Sequence, residues 1–450
     1  MTRANLPHSA TADQNEIASL AEAARRSVRA GRLQSALNAY AQILRHDPHH
    51  AEALNFFGTQ ALNAGQLDRS LECFQRAVRA HPEDASLHKN LGLVWRACGA
   101  LPEALAAFNA ALRVAPHYAT AVLHRAAVLE ELGDQQRALC DYVAGLAEAE
   151  RRGWLADVEH LPTGLHHVVN RAIVIVQQAR RAHLDRALAP LRACHPPASL
   201  ARVEHCLRVY LREQPRPAGD ALQKCTFMHF PDIPGHAWFK RAQFPWLEEI
   251  ERYADAIRAE LCQVLAEDCG FQPFIDIPRD YPGAQPWAAL NGSSNWNSFF
   301  FYRDGKRFDS NCSRCPVTAS LLDHLPLIRM ADHSPESFFS VLAPGAHIPP
   351  HTGVINTRLV VHLPLIIPPD CGIRVGAETR SWTEGKCLVF DDTFEHEAWN
   401  RSEQTRVVLI FDIWNPYLTD VEREALRIVV EELGRFNRAH GQEERAYAAD

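Results

Sequence analysis

One spacing governs the first third of this 450-residue chain. Gly31, Gly65, Gly99 and Gly133 stand 34 positions apart. The same interval separates Ala36, Ser70, Ala104 and Ala138. It recurs in Leu37, Leu71, Leu105 and Leu139, and in the aromatic set Tyr40, Phe74, Phe108 and Tyr142. Pro48, Pro82 and Pro116 close the first three units, and Gly58, Gly92 and Ala126 mark a small position inside the later ones. Each column has a physical job in a helix–turn–helix unit. Glycine ends the first helix, because a left-handed residue without a Cβ carries little penalty. The small residue lets the second helix pack close. Leucine and an aromatic at i and i+3 form one apolar stripe. Proline stops the second helix. A bundle with accidental spacing would not keep four columns in register.

Small, aromatic and proline positions in this order, at a 34-residue period, resemble the tetratricopeptide repeat. Four units cover residues 15–150 and predict an N-terminal all-α solenoid. Such arrays offer an extended face to partners, so a protein or peptide partner on the helical repeats is expected. Dimerisation or support of the adjoining domain are the other roles open to them. Residues 151–225 read as a helical connector that caps the solenoid. The run 168–176 is apolar, and Leu184, Ala187 and Leu188 keep helical spacing. Pro190, Pro196, Pro197, Pro215 and Pro217 punctuate the segment.

Composition excludes some classes. Net charge is −7 and no Lys/Arg block stands out, so nucleic-acid binding is not expected as the main task. No window approaches the roughly 18 consecutive apolar residues of a membrane span. The opening residues lack the apolar core of a signal peptide, so the expected compartment is the cytoplasm. The 12 cysteines are mostly scattered singly, as expected of reduced thiols.

After Pro217 the texture changes. Segments 299–302, 338–342, 357–367, 373–375, 387–390 and 406–414 read as short strands between Gly/Pro/Asp turns, which predicts a sandwich or jelly roll over 226–450. A closing helix is expected from Thr419, as N-cap, to Phe436. Strand parity puts Arg358, Val360 and His362 on one face, and Arg406, Val408, Ile410 and Asp412 on one face of another strand. An arginine inside such a cup needs an anion, and a bidentate carboxylate suits it. His351, His396 and Arg406 together are a minimal kit for a metal beside a dicarboxylate, although spacing alone leaves a surface or core role open to each histidine.

The surrounding residues are more specific. Ser340-Val-Leu-Ala-Pro-Gly, Pro350-His-Thr-Gly, Asn356-Thr-Arg-Leu-Val-Val-His-Leu, Trp382-Thr-Glu-Gly-Lys, Phe390-Asp-Asp-Thr-Phe-Glu-His-Glu-Ala-Trp-Asn and Arg406-Val-Val-Leu-Ile-Phe-Asp-Ile-Trp-Asn-Pro closely resemble the aspartyl/asparaginyl β-hydroxylase family. The resemblance runs over about 230–426. It implies a double-stranded β-helix with iron(II), 2-oxoglutarate and molecular oxygen. It makes His351 and His396 the iron ligands, Arg406 and Ser340 the holders of the distal 2-oxoglutarate carboxylate, and His362 a further cosubstrate contact. Arg358 would then face the substrate. The implied activity is hydroxylation of a C–H bond, of the Asp/Asn type, on a protein or peptide recruited by the repeats. A lipid or small acid as substrate, or a non-catalytic scaffold, are the alternatives.

Several further positions bear on this reading, and one of them departs from the family pattern. The position two after His351 is Gly353, which cannot ligate, and the resembled family shares this gap. Asp392 could stand in for the missing carboxylate, but a turn or supporting role suits it better. Where the family tends to carry a second arginine, two positions after Arg358, this chain has Val360, which counts against an aspartyl substrate. Cys312 and Cys315 read as two free thiols, a disulfide being the other outcome. Asn291-Gly-Ser reads as a turn lining the cup rather than a glycosylation acceptor. Trp382, Trp399 and Trp414 read as core aromatics.

Overall fold

The periodic columns become four helix pairs. The computed structural model describes residues 8–278 and 284–441. In it α1 (His8–Arg29) pairs with α2 (Leu33–His46), α3 (Ala51–Asn63) with α4 (Leu67–Ala80), α5 (Ala85–Ala97) with α6 (Leu101–Val114), and α7 (Ala119–Glu131) with α8 (Gln135–Arg151). The glycine column sits between the helices of each pair in the left-handed region, with φ from 68° at Gly31 to 84° at Gly133. The small column inside the first helices answers to close approach. A Cβ on Gly58 would lie 2.7 Å from the Phe74 ring, and one on Gly92 2.8 Å from Phe108. Each ring therefore seats on a bare backbone, and both are fully buried. Tyr40 and Tyr142 fill the same column and send their hydroxyls to Glu52 and Glu130, each at 2.8 Å. Asp84 caps α5 by accepting from Ser86 N at 2.8 Å.

Helix α9 (Thr163–Cys194) and α10 (Ala201–Tyr210) follow. Pro190, expected to interrupt the chain, lies inside α9. The expectation is corrected there: the buried Leu184 and Leu188, packed with Leu200 and Val203, hold the helix through a residue that costs it one backbone hydrogen bond. The described residues form two compact units, 8–176 and 177–439. The division falls inside α9, in the stretch expected to be a connector.

The second unit is built on two antiparallel sheets. Its strands are β1 (Gln272–Pro273), β2 (Trp296–Arg303), β3 (Lys306–Arg307), β4 (Ser337–Leu342), β5 (His347–His351), β6 (Arg358–Ile366), β7 (Cys371–Val375), β8 (Glu378–Arg380), β9 (Leu388–Phe390), β10 (His396–Asn400) and β11 (Arg406–Trp414). One sheet runs β1-β2-β4-β11-β6-β9 with β3 on β2, and the other runs β5-β10-β7-β8. Parity divides each large-sheet strand between two cores. Leu359, Val361, Leu363, Val407, Leu409 and Phe411 face a helical layer that includes α11 (Leu247–Arg252), α12 (Ala254–Glu267) and, beyond α13 (Asp309–Arg314), α14 (Pro316–His324). Val360, Val408 and Ile410 face Ile348, Ile373, Val375 and Ala398 of the small sheet. The polar residues of the site lie on this inner face. Helix α15 (Asp420–Ala439) closes the chain behind a reciprocal cap: Thr419 Oγ1 accepts from Glu422 N at 3.3 Å, and Glu422 Oε2 accepts from Thr419 N at 2.9 Å. No described helix is long and apolar enough to cross a membrane.

Cys312 and Cys315 are buried free thiols. Burial pushes the Cys315 thiol up to about 12, with Glu260 adding to it, which disfavours the reactive thiolate. The Asn291 carboxamide is taken up by the backbone of Ile277, accepting from its N–H at 2.9 Å and donating to its carbonyl at 2.8 Å.

Candidate functional site

His351 ends β5, His396 begins β10, and the two are direct cross-strand partners. Their ring centroids lie 4.0 Å apart. Each ring is oriented by its own backbone. His351 Nδ1 donates to the Pro349 carbonyl at 2.8 Å, and His396 Nδ1 to the Phe394 carbonyl at 3.0 Å. A carbonyl only accepts, so the ring proton sits on Nδ1 and the lone pair is left on Nε2 in both residues. Burial keeps both rings neutral, lowering His351 to about 3, with His396 adding to the effect, and His396 to about 4. Two neutral imidazoles with matched tautomers, side by side, are a donor set for a divalent transition metal.

Arg406 begins β11, is 1% exposed, and lies in the core between the sheets. No carboxylate reaches it among the described residues. Its Nη1 donates to the Ser340 hydroxyl at 3.3 Å and to the Ser340 carbonyl at 3.4 Å, and its Nε has no partner. Trp382 lies beneath the guanidinium at 4.9 Å. Burial pulls Arg406 down to about 10. Ser340 Oγ also accepts from Trp296 Nε1 at 3.0 Å, which fixes the hydroxyl. His362, 6% exposed on β6, accepts from Trp382 Nε1 at 3.3 Å through Nδ1, so its own proton sits on Nε2. Burial and then Arg406 hold its pKa well below the ordinary histidine range. Phe390 stands edge-on to His362 at 4.9 Å and 5.7 Å from His396.

Arg358 arrives differently from the expectation of a cation free to meet a substrate. Its Nη2 donates to Asp392 at 2.8 Å, and its Nη1 lies 4.0 Å from Asp412. Asp412 is itself held by Ser334 Oγ at 3.0 Å and by Glu336 N at 3.2 Å. The Arg358 charge is therefore already neutralised. Asp392 leans over Gly353: a Cβ there would lie 2.3 Å from the Asp392 carboxyl carbon. The carboxylate thus fills the space that a ligating side chain at 353 would need, while pairing with Arg358 instead. No group of three or more His, Cys, Asp or Glu is arranged to hold a metal among the described residues.

The sequence did not single out Glu336, it named Asp412 only as sharing a strand face with Arg406, and it treated Trp382 as plain core. Trp382 stacks under Arg406 and donates to His362, and its only trace in the chain was its place in the Trp-Thr-Glu-Gly-Lys motif. Nor did the sequence reveal a cavity of about 710 Å³ lined by Leu222, Trp238, Phe239, Leu388 and Phe394 among others. It borders the site without including either histidine. Phe390 lies 5.5 Å from Trp238 and so separates the two spaces.

Fold and site define a helical-repeat protein that carries a two-sheet β-domain with paired histidines on its inner side. Residues 251–416 match the family Aspartyl/Asparaginyl beta-hydroxylase, and residues 22–59, 57–113 and 99–152 match Tetratricopeptide repeat. Residues 251–416 are thus similar to an aspartyl/asparaginyl beta-hydroxylase domain, and tetratricopeptide repeats precede it. The chain is 38% identical over 181 residues to an ornithine lipid ester-linked acyl 2-hydroxylase of Rhizobium tropici, across 40% of this chain and 60% of that protein. It is 39% identical over 138 residues to the aspartyl/asparaginyl beta-hydroxylase of Homo sapiens, across 30% of this chain and 18% of that protein. It is 33% identical over 222 residues to aspartate beta-hydroxylase domain-containing protein 2 of Xenopus tropicalis, across 48% and 56% respectively. The matched part spans less than two thirds of each of these relatives.

Proposed function

We propose that this chain is an iron(II)- and 2-oxoglutarate-dependent hydroxylase, using molecular oxygen. In this reading His351 and His396 hold the metal, and Arg406 and Ser340 hold the distal carboxylate of 2-oxoglutarate. The observation that carries it is the desolvated Arg406 guanidinium with no anion, on the inner face of the domain that carries two neutral imidazoles. An unpaired buried charge costs several kcal/mol, and a dicarboxylate beside a divalent metal offsets that cost. His362, with its proton on Nε2, is a further donor to the cosubstrate. When bound, the metal and cosubstrate supply oxygen activation. The chain's own residues orient the cosubstrate through Arg406 and Ser340 and exclude water with Trp382, Phe390 and Trp287, whose ring stands edge-on to His351 at 5.1 Å. His396→Ala is expected to abolish iron-dependent conversion of 2-oxoglutarate to succinate while leaving the melting curve in place. Undiminished succinate formation by that variant would overturn the assignment.

The substrate under this reading is a protein or peptide side chain brought by the repeats. A lipid acyl chain is the second reading, and one observation favours it. Next to the site, Arg358 is already paired and Val360 is apolar, while the adjoining cavity mixes apolar side chains with Lys240, Arg241, Glu378 and Arg380. Incubating the chain with iron, 2-oxoglutarate and either extracted lipids or protein separates the two by which fraction gains one oxygen in mass.

A further inference from the structure

The cavity behind Phe390 lies where both sheets end. β8 is the last strand of the small sheet and β9 the last of the large one, and both contribute to its lining. The chain at 235–241 closes part of the gap. Phe239 N donates to the Val389 carbonyl at 3.0 Å, and Asp391 N to the Ala237 carbonyl at 3.1 Å. Elsewhere on the wall Gly376 N donates to the Glu395 carbonyl at 2.9 Å, and Glu395 N to the Leu222 carbonyl at 2.8 Å. These backbone groups satisfy one another, so they leave little for a ligand to bond. The side chains between them include Phe239, Leu247, Val375, Leu388, Val389 and Phe394. A space of about 710 Å³ with such a wall suits a ligand body that brings few polar atoms.

The charged groups on the lining are unequal. Lys240, Arg241 and Arg380 face two carboxylates, Asp220 and Glu378. Arg241 pairs with the buried Glu251 through both Nη atoms, and Glu251 also takes Lys386 Nζ at 3.2 Å. Arg380 donates to Glu378 at 2.7 Å and lies 4.3 Å over the Trp238 ring. Asp220 is exposed and accepts from Leu222 N at 2.8 Å. Lys240 is left without a carboxylate in ion-pair distance among the described residues. Trp238, on the same lining, has its Nε1 buried with no acceptor, which is unfavourable as it stands. Leu222 is one of the few large apolar side chains of the chain that stay exposed. The cavity thus joins an apolar wall to one spare cation and one spare donor.

We propose that this cavity binds a fatty-acid-type anion, with one acyl chain against the apolar wall and its carboxylate on Lys240. A monovalent head matches a single spare ammonium, and a point charge on a flexible stem reaches a head group at the surface. A carboxylate oxygen also offers Trp238 Nε1 the acceptor it lacks. Phe390 keeps this chain apart from His362 and His396, so the cavity is a second site beside the one assigned to hydroxylation. The inference holds whether the hydroxylated substrate is a lipid or a peptide, and its test reads binding, not turnover.

The test uses the full chain and dansylaminoundecanoic acid, whose fluorescence rises in an apolar site. Dodecanoate is expected to displace this probe at micromolar concentration. Dodecyltrimethylammonium, with the same chain and the opposite charge, should be weaker by about tenfold or more, and acetate should have no effect. Lys240→Gln removes an exposed charge and should weaken dodecanoate about tenfold, leaving dodecyltrimethylammonium no weaker than before. Ala377→Trp places a large ring at an exposed position of the lining and should abolish probe binding. Both variants should melt with the parent by circular dichroism. If Ala377→Trp unfolds early, Lys240→Gln and the comparison of the two chains decide alone. Saturating 2-oxoglutarate with iron should leave the displacement unchanged, because the carboxylate sought is not the guest of Arg406. Equal displacement by the anion and the cation, undiminished dodecanoate binding in Lys240→Gln, competition by 2-oxoglutarate, or no displacement below millimolar dodecanoate would each overturn the proposal.

Discussion

Two arginines face the same inner space from adjacent strands, and their surroundings are opposite. Arg406 on β11 has a serine, an indole and no anion. Arg358 on β6 has Asp392 at 2.8 Å, Asp412 at 4.0 Å and Glu336 close enough to raise its pKa further. One end of the cup holds a cation short of a partner, and the other holds more carboxylates than cations. A buried charge that serves the fold is balanced within the fold. A buried charge that serves a ligand is left unbalanced, and the protein bears that strain until the ligand arrives. On the proposed function the pair separates architecture from chemistry: Arg358 would belong to the first and Arg406 to the second.

The largest effect that tests this contrast is Arg358→Leu. It strands Asp392 and Asp412 in a dry site, and breaking such a pair costs about 3–5 kcal/mol. Urea unfolding should show the loss in midpoint with or without 2-oxoglutarate. A variant as stable as the parent would mean that the carboxylates are balanced some other way. Arg406→Met should do the reverse. Its stability should equal or exceed that of the parent, since an unpaired charge is replaced by a side chain of similar length. Its affinity for 2-oxoglutarate should fall about a hundredfold, which corresponds to about 2.7 kcal/mol. Thermal melts with iron and 2-oxoglutarate read both at once. The cosubstrate should raise the midpoint of the parent and not that of the variant. A variant that unfolds early would make Arg406 structural and erase the distinction.

The same contrast explains what the sequence could and could not reveal. The repeat columns were legible because each acts within one unit: a turn glycine, a ring, and the bare backbone it seats on all lie within 34 positions. The long strands of the large sheet were legible from their apolar runs and from parity, which correctly put Arg406 and Val408 on one face. Of the small sheet only β7 was legible, through 373–375. β5 reads His-Ile-Pro-Pro-His, and two prolines in five residues signal a turn. They are tolerated because β5 is an edge strand. β10 is short and polar. So the strands that carry both histidines were missed while the histidines themselves were found, through a resemblance rather than a pattern. The partners of Arg358 were illegible for a different reason. Glu336, Asp392 and Asp412 come from separate strands and turns, and only the register of β6 with β11, which sets Asp412 against Val360, brings them together.

The smallest effect concerns the surplus of acid around Arg358. Burial raises Glu336 to about 7, with Asp412 opposing its ionisation, and burial raises Asp412 to about 6. A carboxyl whose folded pKa lies above its unfolded value binds more protons when folded. Its stabilising contribution is present in full below the unfolded pKa and is lost as pH rises through the folded one. Stability should therefore decline between roughly pH 5 and pH 8 where carboxylates with ordinary pKa values no longer titrate. Glu336→Gln removes one titrating group while keeping the shape. It should flatten that decline and leave the variant more stable than the parent at pH 8 by on the order of 1 kcal/mol. Near pH 5 the two should converge. Urea midpoints at the two pH values settle it. An unchanged slope in the variant would mean that Arg358 already balances Glu336, and the acid end of the cup would then be neutral rather than in surplus.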